Sequence, residues 1–95
     1  MIQMMNSYVS VEDRAPKIVS RDDAYLKSRE LHASFSELDM ALAVYFMEQV
    51  RGNAITPDPN LVDLFAKMSI SIAMISRYLK IDDHVNPRIN QILNN

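Results

Sequence analysis

The stretch NLVDLFAKMSISIAMISRYLKI, residues 60–81, decides the fold. Leu61, Phe65, Met68, Ile72, Ile75 and Leu79 recur in steps of four, three, four, three and four, the spacing of one helical face. Off that seam lie Val62, Leu64, Ile70, Met74, Tyr78 and Ile81, so a helix here is apolar around well over half its circumference. Inside the stretch, residues 68–76 also alternate as a strand does, with Met68, Ile70, Ile72 and Met74 on one side. The longer window keeps helical steps throughout, and a short lone strand has nothing nearby to pair with. The reading is therefore a central helix.

Upstream, Pro57 and Pro59 stiffen the connector, and Asp58 followed by Pro59 reads as the capping residue and first position of that helix. Downstream, Asp82 and Asp83 would sit badly against the partial negative charge of a helix C-terminus, so the helix should stop near Lys80 or Ile81. Asn86 followed by Pro87 repeats the capping logic and predicts a short last helix over about 87–93 that buries Ile89, Ile92 and Leu93.

Before the connector, Ser20 with Asp22 and Asp23 marks a helix start. Ala24, Leu31, Phe35, Leu38, Leu42 and Tyr45 then fall on one seam, with Gln49 at the next seam position. Ser34 and Glu37 match a capping box, and Ser28, Ser34 and Ser36 weaken the helix locally, so a break near residues 32–34 is preferred to one helix over 21–51. Arg51, Gly52 and Asn53 supply its C-terminal signals. Residues 1–19 show no helical stripe and are interrupted by Pro16, so they read as a flexible N-terminal arm ahead of a single helical domain over 20–95.

Composition bounds the function. Ninety-five residues with 48% apolar and 23% charged side chains make one globular domain. A net charge of -2 lacks the basic excess of a general nucleic-acid coat. With no cysteine there is no disulfide, thiol nucleophile or thiolate metal site. A single glycine excludes Gly-rich phosphate loops. No positively charged leader opens the chain and no run is apolar enough for a membrane span, from which a soluble cytoplasmic protein without membrane contact is expected.

Catalytic constellations are weak. His32, Ser36 and Asp39 share a helical face but bring no pocket or oxyanion hole. Asp82, Asp83 and His84 are adjacent without a fourth ligand elsewhere. The expectation is no enzyme, no cofactor and no metal. Charge is segregated, with Arg14, Lys17, Arg21, Lys27 and Arg29 in a basic segment and mostly carboxylates from Glu30 to Asp63. An alternative reading, a nucleic-acid-associated transcriptional regulator, would use those basic residues with Arg88.

At this size a single core rarely supplies more than roughly 3–5 kcal/mol, and a hairpin covers only one side of a helix apolar most of the way round. Two hairpins packed face to face supply the missing cover. The sequence therefore predicts an all-α fold, a helical hairpin with a short C-terminal helix, dimerising into a four-helix-type bundle. The expected function is that of a small regulatory or adaptor protein binding itself and another protein. The expected interface residues are Phe35, Leu42, Tyr45, Phe65, Met68, Ile70, Ile72, Met74 and Tyr78, with the methionines as adaptable contacts.

Overall fold

Ser20 begins the order. Its hydroxyl oxygen accepts from the Asp23 N–H at 3.1 Å, satisfying one of the free amides of a helix start, while Asp22 and Asp23 place carboxylates in the first turn. The computed structural model describes residues 14–49 and 57–95. It shows three helices in chain order, α1 (Arg21–Gln49), α2 (Pro59–Tyr78) and α3 (Asp82–Leu93), and no strand among the described residues. The all-α reading stands, and the Ser-Ile alternation lies inside α2 as helix.

α1 runs unbroken through residues 32–34, so the preferred break is corrected. The Ser28 hydroxyl donates to the Tyr25 carbonyl at 2.6 Å, which satisfies it without leaving the helix. A serine costs at most roughly 0.7 kcal/mol of propensity, less than unwinding would forfeit around Leu31 and the buried Leu38. The end of α1 expected at Arg51 to Asn53 lies outside the described residues.

α2 starts as its sequence demands. Asp58 adopts extended backbone, and its carboxylate accepts from the Asn60 N–H at 2.8 Å with Pro59 at the first helical position. α1 and α2 pack along each other, whereas α3 touches α2 and not α1. The line of α2 covered within the chain is Leu61, Leu64, Met68, Ser71, Ile75 and Tyr78, all buried or half-buried. Only Leu61, Met68 and Ile75 of the expected seam belong to it. Phe65, Ile72 and Leu79 point away from it, because the contact line is rotated by about 50° from the expected seam, half of one residue's turn on a helix.

Competition for α2 accounts for the rotation. Besides α1, two other parts of the chain lie on this helix: Ile18, buried, shares a recess with Met74, and the start of α3 borders Ala73. Met74, expected to await a second chain, is instead in the protomer's own core. Of the arm expected over residues 1–19, residues 1–13 lie outside the described part, and Ile18 is packed rather than free.

The stop of α2 falls where the carboxylates require. Lys80 takes a left-handed φ of 61°, the Lys80 N–H donates to the Arg77 carbonyl at 3.1 Å, and the Ile81 N–H donates to the Ser76 carbonyl at 3.0 Å. This paired closure ends the helix through a left-handed position that glycine usually holds. The chain reverses at once, so α3 begins at Asp82, earlier than the expected start at Pro87. Asp82 and Asp83 thereby gain the positive end of a new helix. Pro87 lies inside α3, and the carbonyl it leaves without a donor belongs to the exposed Asp83, where water can serve it. The expected burial of Ile89, Ile92 and Leu93 does not occur; all three are exposed, and α3 contributes no buried residue.

Candidate interaction surface

The rotation that hides Leu64 and Ser71 turns a second line outward. Val62, Phe65, Ser69, Ile72, Ser76 and Leu79 step three, four, three, four and three along α2, each one residue after its counterpart on the covered line. Val62 is 60% exposed, Phe65 53%, Ile72 50% and Leu79 56%. No charge interrupts this line. Its two serines are muted: the Ser69 hydroxyl donates to the Phe65 carbonyl at 2.9 Å and the Ser76 hydroxyl to the Ala73 carbonyl at 3.1 Å, so neither keeps its donor for solvent.

Two clefts flank the line. Toward the start of α2, an open apolar cleft is lined by Leu42, Tyr45 and Phe46 of α1 and by Leu61, Val62 and Phe65 of α2. The Tyr45 and Phe46 rings meet edge to face, with centroids 5.6 Å apart and planes at 82°, a favoured aromatic geometry. Phe35, exposed, lies seven residues before Leu42 and so on the same side of α1. Toward the end of α2, a cleft of about 280 Å³ opens between Ser69, Ile72, Ala73 and Ser76 and the first turns of α3, where Val85 forms the apolar wall.

The nine expected interface residues divide. Phe35, Leu42, Tyr45, Phe65 and Ile72 share this one surface. Met68 is half-buried on the covered line, and Met74 and Tyr78 border the recess that holds Ile18. Ile70 is exposed on another side of α2, beside Arg14, Ala15 and Pro16. Sequence reading missed Phe46, Val62 and Leu79 as members of the surface. The signal for Val62 was present, since the outward line keeps Phe65, Ile72 and Leu79 of the expected seam and exchanges its other three members for the next residue in each case, but nothing local ranked one line above the other.

Asp58 and Asp82 each line one of the two clefts, and the remaining charge stays on the margins. Lys67 and Asp63 pair one turn apart at 3.0 Å, and the hydrogen bond and charge of Asp63 hold the Lys67 ammonium above its ordinary pKa. Lys27 pairs with Glu30 at 2.6 Å. Arg14, Lys17, Arg21 and Arg29 are exposed, and Arg88 donates to the Gln91 side-chain oxygen at 3.2 Å. His32, Ser36 and Asp39 are exposed on α1. Among the described residues no group of three or more metal-ligating side chains could hold an ion, and no helix is long and apolar enough to cross a membrane. No protein-family model, no curated protein and no solved structure matches the chain.

Proposed function

We propose that this chain is a small non-enzymatic regulatory or adaptor protein that works through helix-mediated contact with other proteins and pairs with itself. The observation that supports the reading is the outward line of α2, an uncharged apolar stripe about 26 Å long from Val62 to Leu79. Exposed apolar surface gathered in one patch is the property that separates interaction faces from ordinary surface, on which apolar residues are scattered singly. The stripe continues onto the aromatic cleft of α1, and aromatic anchors carry a large share of interface energy. A protomer whose described residues include no side chain less than 2% exposed gains by recruiting more core.

Light scattering of the full chain across a dilution series tests the pairing. The expected mass is twice 10.9 kDa at high concentration, falling on dilution. Changing Phe65 and Ile72 together to Glu should hold the mass at that of one chain while helicity by circular dichroism persists, because neither residue lies on the covered line. Affinity capture from the native host with the parent chain and this variant tests the adaptor role; loss of the captured partner with the variant is expected. A parent chain monomeric over the whole range overturns the pairing.

A further inference from the structure

The outward line of α2 is self-complementary in one direction only, and the geometry points to a two-fold antiparallel pairing of α2 with α2 of a second copy, centred between Ser69 and Ile72. This rests on the self-association proposed above and specifies its face, direction and register. About that centre, Val62 of one copy stands level with Leu79 of the other, Phe65 with Ser76, and Ser69 with Ile72. The two inner levels thus each set a large side chain against a small one, which is how helices interdigitate without voids or overlap. A parallel pairing would instead oppose Phe65 to Phe65 and Ser69 to Ser69, alternating collision with gap. Shifting the antiparallel pair by one heptad leaves Leu79 uncovered in one direction and Val62 and Phe65 in the other.

Two further features favour this arrangement. Ser76, the residue level with Phe65 of the second copy, lines the cleft of about 280 Å³ between α2 and α3, whose other walls are Ser69, Ile72, Ala73 and Val85 with the polar Asp82 and Asn86. A phenyl ring fits such a space, and the clefts of both copies are filled by the same operation, as a two-fold requires. The area is also sufficient. Phe35, Phe46 and Phe65 are each more than half exposed, and with Val62, Ile72 and Leu79 they offer roughly 600 Å² per copy. Two copies reach the roughly 1,200 Å² at which specific association begins. The α1 of each copy then flanks the central α2 pair, with Phe35 and Phe46 on the side turned to the second copy, and the result is a four-helix arrangement.

The absence of cysteine from the chain makes the register directly testable. Ser69→Cys and Ser76→Cys are conservative single variants on the same outward line. In the proposed pairing the thiols of two Ser69→Cys chains are offset along the helices by three residues, about 4.5 Å, and those of two Ser76→Cys chains by eleven residues, about 16 Å. A short bis-maleimide, applied to the full chain at a concentration where light scattering shows dimer, should join most of the Ser69→Cys chains and almost none of the Ser76→Cys chains. Equal cross-linking of both variants indicates a parallel pair and overturns the inference. Cross-linking of neither, with the dimer mass retained, places the interface elsewhere and overturns the inference while leaving self-association intact. A monomer at every concentration overturns both. As a second arm, Ser76→Phe fills the cleft and should weaken dimerisation at least tenfold without loss of helicity; undiminished dimer mass overturns the seating of Phe65.

Discussion

α2 carries two apolar lines of the same length and spacing, offset by one residue, with different fates. Leu61, Leu64, Met68, Ser71, Ile75 and Tyr78 are covered by the rest of the chain, whereas Val62, Phe65, Ser69, Ile72, Ser76 and Leu79 largely face water. Hydrophobicity does not set the two lines apart: the covered line includes Ser71 and Tyr78, and the outward line includes Ser69 and Ser76. What separates them is fit. α1 offers Ala24, Ser34 and Ala41 among its half-buried positions, and these small side chains leave room for the larger residues of the covered line as the two helices pack along each other.

The largest expected effect breaks the covered line. Leu64 is 3% exposed, and Leu64→Ala should cost about 2–5 kcal/mol in urea unfolding. Its neighbour Phe65→Ala should cost under about 1 kcal/mol when measured dilute, and the proposed pairing, which would bury the outward line between chains, makes the expected loss grow as concentration rises. Equal costs at low concentration would erase the distinction. Next is a pair of enlargements. Ser71→Leu overpacks the covered line and should destabilise by about 1–3 kcal/mol, while Ser69→Leu extends from an exposed position in the dilute protomer and should leave the urea midpoint nearly unchanged.

A smaller gain is expected at the turn that holds α3 beside the outward line. Lys80 sits at φ 61°, which costs an L-residue roughly 1–2 kcal/mol relative to glycine's freedom there. Lys80→Gly should therefore raise the melting temperature by an amount equivalent to about 1 kcal/mol, less the entropy glycine gains on unfolding. The smallest effect lies at the Asp63–Lys67 pair, on the margin of both lines. A lysine held above its ordinary pKa contributes stability that is present below that ordinary value and lost as pH rises through the raised one. The parent chain should exceed Asp63→Asn in unfolding midpoint at neutral pH, and the difference should vanish in strong alkali.

Features decided within a few residues were readable in advance. Ser20 and Asp58 cap their helices as their neighbours imply, because a cap needs only a side-chain oxygen and the amides two or three positions on. The same logic overreached at Ser34 and Asn86, where a capping pattern lies inside a helix that continues past it. A cap is worth about 1 kcal/mol, which packing along the 29-residue α1 outweighs at Ser34; at Asn86 the helix has already begun at Asp82. The candidate surface was half legible: Phe35, Leu42, Tyr45, Phe65 and Ile72 are on it, but Met68, Met74 and Tyr78 were claimed by the protomer itself.

Helix type, the starts of α1 and α2 and the overabundance of apolar residues on α2 follow from the order of side chains, since they depend on backbone periodicity and on hydrogen bonds that close within one turn. Which apolar line turns inward, where α3 begins and where Met74 goes follow from the assembled chain alone. Burial is a contest among α1, residues 14–19 and α3 for one helix, and a contest has no outcome until all the competitors are in place.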